Sequence, residues 1–279
     1  MERINGSPAE APSPVAAPAE PRQRWRIRFR RRPDAPPLPQ REQLGAWEAA
    51  LAASGLPLVG LDLPVPRPRL VFAAPLGVGM AAEGELCDLF LTDRRAVAEV
   101  RPIIAASMPP GHELVDLFDV WLGEPPLSGR VVAADYRIEL AATPDPPAWA
   151  ALENACARLL AAPTLPRTRD KGGRSVGYDL RPLVTSIDVL EAAPGRVAGL
   201  RIRTRFDPEK GVGRPEEVLA AISEVISVPL VAGTIVRERV LLASEAGEAG
   251  EAGEAGEAGE AGEAGEAGEA GEAGEAGEV

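Results

Sequence analysis

The chain has one histidine, two cysteines and no long apolar run. Each shortage narrows the chemistry. Two cysteines, Cys87 and Cys156, cannot build a disulfide framework, nor hold a four-iron cluster, which needs three or four thiolates. Flanked by Glu-Leu-Cys-Asp and Asn-Ala-Cys-Ala, they are expected to be reduced, buried thiols of a cytoplasmic protein. His112 sits in Pro-Pro-Gly-His-Glu and is expected to be a solvated loop residue. A Ser/His/Asp or Cys/His device would have to be built around it, and nothing near it in the sequence implies the partners. No metal site and no cofactor are therefore expected. The N-terminus has no apolar leader core, and no stretch approaches the ~20 apolar residues of a membrane span, so no membrane partner is expected.

Charge is plentiful but unevenly placed. Lys+Arg is 30 against Asp+Glu 42 in 279 residues, and twelve of those glutamates recur every third residue from Glu245 to Glu278. The rest of the chain is formally neutral, and the net charge of −12 belongs to the Glu-Ala-Gly tail. Glycine at every third position and repelling glutamates argue against a helix there, and without proline the repeat is not collagen-like. The repeat reads first as an expanded codon repeat with no selected role; the other reading is a tethered polyanion that competes with an outside polyanion for basic strands. Residues 1–22, rich in Pro, Ala and Glu, are expected to be disordered.

Between these ends the chain centres on residues 67–91, an apolar run, a Gly/Pro turn and a second apolar run. Val71–Ala73 and Leu86–Leu91 read as a buried hairpin. Gly77-Val-Gly79-Met-Ala-Ala82 loosely matches a dinucleotide-binding fingerprint, but a strand follows it where that site needs a helix N-terminus. Ahead of this hairpin, Arg24–Arg30 alternates strictly, with Trp25, Ile27 and Phe29 on one face and Arg24, Arg26, Arg28 and Arg30 on the other. A helix from Arg41 closing at Gly55, a second capped by Thr92 or Asp93, and a strand over 113–122 complete the order strand, helix, strand, strand, helix, strand. The second half repeats it: a strand over 131–140, a helix over 147–160, a strand pair over 175–184 and 185–190, a strand at Leu200–Phe206, a helix from Pro215 and a closing strand over 234–242. The expected fold is α+β, two ferredoxin-like halves with antiparallel sheets at 23–127 and 128–243, followed by the low-complexity tail 244–279.

The arginines carry the strongest binding signal. Arg24, Arg26 and Arg28 on one strand and Arg201, Arg203 and Arg205 on another each gather like charge on one face, which is unfavourable unless the face is solvated or meets anions. With Arg67 and Arg69, they are the candidate sites for RNA phosphates; Arg167, Arg169, Lys171 and Arg174 would extend the surface. The acidic residues near the central turn, Glu83, Glu85 and Asp88, are expected to form a solvated rim, with Glu85 facing away from Asp88.

Phe72-Ala-Ala-Pro-Leu-Gly-Val-Gly, Gly84-Glu-Leu-Cys-Asp-Leu, Tyr178-Asp-Leu-Arg-Pro-Leu and Gly213-Arg-Pro-Glu-Glu-Val-Leu together resemble the radical SAM-associated family of bacterial domains of unknown function, over Arg24 to Leu242. The resemblance implies a radical SAM enzyme as partner, and so a non-catalytic accessory that binds that enzyme, RNA, or both. Where that family tends to carry histidine segments, this chain has Pro33–Pro39 and Val65-Pro-Arg-Pro-Arg69 instead. Two other readings remain open. An RNA-modifying enzyme with paired units like those of pseudouridine synthases would need an aspartate such as Asp88 or Asp179 in a basic cleft. A structural partner would oligomerise through an exposed apolar sheet face.

Overall fold

The computed structural model describes residues 19–142, 147–193 and 196–243. The Glu-Ala-Gly tail and most of the N-terminal segment lie outside the described residues. Ahead of the first strand, Ala19 N–H donates to Asp62 and Arg22 N–H to the Leu91 carbonyl.

The first half runs β1 (Gln23–Arg31), α1 (Gln40–Ala52), β2 (Leu70–Phe72), β3 (Ala81–Leu91), α2 (Val97–Ala106) and β4 (His112–Val120). The second runs β5 (Val131–Leu140), α3 (Trp149–Ala161), β6 (Pro166–Lys171), β7 (Arg174–Asp179), β8 (Val184–Ala193), β9 (Arg196–Asp207), β10 (Gly211–Val212), α4 (Pro215–Ile226) and β11 (Ala232–Leu242). Among the described residues this is a mixed α+β protein with four α-helices on a large sheet. The strands lie in the order β10-β9-β5-β11-β3-β1-β4, with β2 beside β3 and β8 beside β9, while β6 and β7 form a separate ribbon.

Alternation in β1 works as the sequence implies. Trp25, Ile27 and Phe29 pack with Cys87, Leu89 and Leu91 of β3 beneath Trp47 and Leu51 of α1 and Val100 and Ile104 of α2. The second core repeats the arrangement, with Ile138, Ile187, Leu200 and Ile202 beneath Leu152 and Leu159 of α3 and Val218 and Ile222 of α4. Pro215 opens α4 followed by Glu216 and Glu217, as a first-turn proline and dipole-complementing carboxylates should.

Three local expectations are corrected. The strand pair over 175–190 does not form. The chain turns earlier, at Gly172 and Gly173 with φ of 63° and 79°, so β7 pairs with β6. Buried Leu180 and Leu183 then interrupt the run while the Arg181 guanidinium ties down the Leu160 and Val184 carbonyls, and β8 pairs with β9. Helix α2 starts at Val97 rather than on a Thr92 or Asp93 cap, because Thr92 donates to Pro57 O and Asp93 holds Arg95. Helix α1 ends at Ala52, and Gly55, at φ 75°, serves the chain reversal beyond it.

Among the described residues the strands of the two halves join in one short parallel ladder, Val236 with Ala81 and Arg237 with Ala82. Gly84 permits it, since a Cβ there would lie 2.9 Å from the Glu238 carbonyl oxygen. From the sequence the second strand of this hairpin is expected to start at Leu86, whereas β3 runs from Ala81 through Gly84 without a break. Arg237 locks the joint: its guanidinium holds Glu85 with Nε at 2.6 Å and also donates to the Ala74 and Pro75 carbonyls, all in the interior. Glu85 does face away from Asp88, but both carboxylates are buried and neither belongs to a solvated rim. Of the three acids only Glu83 is exposed.

Candidate functional site

The helices and both large cores use one face of the sheet, and the arginine stripes lie on the other. On β1 the stripe is divided. Arg24 and Arg26 are 2% and 9% exposed and both grip Asp88, itself completely buried, with Nε distances of 2.9 and 2.8 Å. Arg24 also donates to the carbonyls of Glu124 and Pro125, in the segment that closes over it, and Arg26 reaches the Glu124 carboxylate. These two guanidiniums are structural. Arg28 and Arg30 remain exposed. Arg69 lies over the Phe90 ring at 4.2 Å, and Arg24 approaches the same ring at 5.6 Å. Arg67 is exposed and pairs with Glu48.

On β9 the stripe stays at the surface. Arg137 stands directly opposite Arg201, and Asp135 opposite Arg203. The like-charged pair is relieved by Glu238, which accepts from both Arg137 and Arg201 at 3.1 and 3.0 Å. A register shift in β11 between Arg237 and Arg239 turns Glu238 and Arg239 both to this face. Asp135 accepts 2.6 Å bonds from Arg203 and from Arg239. Burial works against its charge, but the bonds from the two arginines outweigh it and hold the carboxyl below the usual carboxylate range. Among the described residues, no ion pair within 4 Å reaches Arg205 or Arg28. Arg167 pairs with Glu224 of α4 and so ties the β6–β7 ribbon to that helix, Arg169 stacks on Tyr178 within the ribbon, and Arg174 is exposed. The Lys171 side chain lies outside the described residues.

Between the stripes, where β11 meets β3, the open face dips into a groove of about 520 Å³. Leu86, Val240 and Leu242 line it with Arg26, Arg28 and Arg239, and Phe118, 43% exposed, forms its outer wall. Beyond it Trp121 is 78% exposed, its ring lying against Gly123. Sequence reasoning identified Arg26 and Arg28 but missed Arg239 and Phe118. Their only signal was position on strands whose register the sequence does not state.

The aspartates considered for catalysis are committed elsewhere. Asp88 is enclosed by its two arginines, and Asp179 accepts from the Leu165 and Arg181 amides. His112 is not a solvated loop residue: it opens β4 and its ring packs 5.8 Å from Phe29 and 5.4 Å from Trp47. Burial lowers its pKa, partly offset by the Pro110 carbonyl, 3.1 Å from Nδ1. Both cysteines are buried free thiols; burial pushes Cys87 well up and Cys156 to about 11, which leaves them poor nucleophiles at neutral pH. Among the described residues no group of His, Cys, Asp and Glu could hold a metal ion, and no helix is long and apolar enough to cross a membrane.

Residues 24–211 match the family described as an uncharacterized protein conserved in bacteria, DUF2344. No curated protein matches. Solved structures similar to the chain include a Cbf5-Nop10-Gar1 complex, at 13% identity and TM-score 0.40, covering 77% of this chain and 49% of that one. An H/ACA RNP bound to a substrate RNA containing 2'-deoxyuridine follows at 13% and 0.37, covering 77% and 47%, and an archaeal box H/ACA sRNP Nop10-Cbf5 complex at 11% and 0.37, covering 77% and 48%. The chain spans about half the length of those chains.

Proposed function

The chain belongs to this uncharacterised bacterial family, and on that footing we propose that it is a non-catalytic accessory protein that binds RNA on the open face of its sheet. We read residues 23–127 and 128–243 as two ferredoxin-like units, since the orders β2-β3-β1-β4 and β8-β9-β5-β11 repeat one plan. The observation that carries the function is the central groove. Two guanidiniums, Arg28 and Arg239, flank an apolar floor beside an exposed aromatic ring, Phe118. Cations follow a phosphate backbone and an aromatic face takes a base by stacking, a combination suited to single-stranded nucleic acid. Arg201 and Arg205 continue the track across the second unit. Both candidate aspartates spend their carboxylates on structural bonds, which favours binding over catalysis.

Fluorescence anisotropy of the tail-deleted chain with single-stranded RNA, over a salt series, tests the reading. Affinity should fall with salt at a logarithmic slope of about −3 for four phosphate contacts, and Arg28→Ala with Arg239→Ala should remove about half of that slope. Phe118→Ala should weaken binding at every salt concentration by about 1–3 kcal/mol. No binding at low salt would overturn it.

A protein-docking role is favoured by a different observation. β4 is the edge of the sheet, and Trp121 and Leu122 beside it are exposed. We read that edge as the docking place of a radical SAM enzyme, the partner implied by the motifs at Phe72, Gly84, Tyr178 and Gly213. Co-purification with the enzyme, lost in Trp121→Ala, would support it; equal recovery by both forms would remove the edge from the interface.

A further inference from the structure

A second cavity, of about 520 Å³, lies on the helix side of the sheet and takes no part in the RNA groove. It opens between α1 and the segment 72–76. Its walls are packed rings: Phe29 and Trp47 tilted at 4.6 Å, and Trp47 edge to face with Phe72 and with His112, each at 5.4 Å. Such walls select a flat, polarisable ligand.

The polar groups narrow the class further. The Glu85 carboxylate lines the cavity at 3% exposure. Its charge is already balanced by Arg237, yet each oxygen keeps a lone pair beyond the one Arg237 uses. Facing a carbonyl oxygen that can only accept, Nδ1 of His112 must carry the proton in the neutral ring, which leaves Nε2 as an acceptor. At this end of the cavity the buried Glu85 and the half-buried His112 disfavour an alkyl chain, which would leave them unpaired, and an anion, which they would repel, while Gln40 and Gln43 set amide groups nearer the mouth. A simple cation gains little from a carboxylate already neutralised. At the mouth, Arg41 is exposed, and among the described residues no ion pair within 4 Å reaches it.

We propose that this cavity binds a nucleobase, its N–H donors meeting Glu85 and His112, its faces held by Trp47, Phe29 and Phe72, and its phosphate directed to Arg41. The volume is that of an ordinary small-molecule site. Neither the aromatic half-box nor the buried carboxylate serves the RNA groove, which lies across the sheet, so the two sites stand or fall separately.

Calorimetric titration of the full chain with AMP, GMP, UMP and CMP tests the site. At least one should saturate at one equivalent with a Kd below about 1 mM. Leu44→Trp, which fills the mouth from a half-exposed helix position, should abolish binding. His112→Phe keeps the aromatic wall but removes the acceptor and should weaken binding about five- to tenfold. The N-methylated form of the preferred base should lose a similar factor. A trinucleotide displacing the mononucleotide at lower concentration would identify an RNA base as the natural occupant, and displacement by mononucleotides alone a free nucleotide; either supports the site. Failure of all four nucleotides to saturate, or affinity unmoved by Leu44→Trp, overturns it. Arg28→Ala should not alter nucleotide affinity, which separates this result from the fate of the RNA groove.

Discussion

The two arginine stripes are near copies in sequence and opposites in structure. Arg24 and Arg26 are shut away with a fully buried aspartate, roofed by the segment around Glu124, whereas Arg201 stays at the surface against Glu238 and Arg203 is half-buried against Asp135. Both satisfy the requirement that a like-charged strand face must meet anions or water. They do so at different cost. In a buried cluster desolvation must be offset by well-formed bonds, and removing one member strands the others. At the surface water already solvates each group, and a pair adds little. The difference separates arginines that hold the fold from arginines that are free to meet a ligand.

Asp88→Asn should have the largest effect, because it leaves two buried guanidiniums facing a neutral amide; a loss of about 3–5 kcal/mol in urea unfolding is expected. The joint provides a sharper version of the same contrast. Arg237→Met should cost almost as much by stranding Glu85, while Arg237→Met with Glu85→Leu should recover most of the loss, since an apolar pair of similar volume replaces a buried ion pair at little cost. If the double variant is no better than the single one, Arg237 stabilises chiefly through the Ala74 and Pro75 carbonyls.

Asp135 stands between the extremes. Its pKa is depressed in the folded state, so its contribution is complete above the unfolded value near ~3.9 and disappears as pH falls through the lower folded value. Asp135→Asn should therefore be less stable than the parent at neutral pH by about 1–3 kcal/mol and converge with it in acid. A constant gap across that range would mean that the bonds, rather than the charge, carry the effect. Arg201→Ala should change stability least, within about 0.5 kcal/mol, while lowering the salt dependence of RNA binding. A large loss of stability would move Arg201 into the structural class and break the comparison.

Much of this fold is legible along the chain. The alternation at Trp25, Ile27 and Phe29, the apolar spacing of α1 and the Pro-Glu-Glu start of α4 are local signals, set by strand and helix periodicity and by the chemistry of a helix N-terminus. They determine which residues form elements and which faces turn inward. The misread places share a cause. The first half of β3 is missed because the need for a small residue at Gly84 comes from β11, and the 175–190 pairing fails because buried Leu180 and Leu183, with Arg181 bound to α3, divide the run. The candidate sites were less legible still, because Arg239, Phe118, Glu85 and His112 meet their neighbours only across the sheet. By itself the sequence determined the periodic elements, the neutral body with its acidic tail, and the side of each strand on which arginine stands. Tertiary structure alone decided which arginines are dry and which are wet. Burial depends on what the rest of the chain lays over a face, and for Arg24 that cover comes from Asp88 and the Glu124 segment, 64 and 100 residues away.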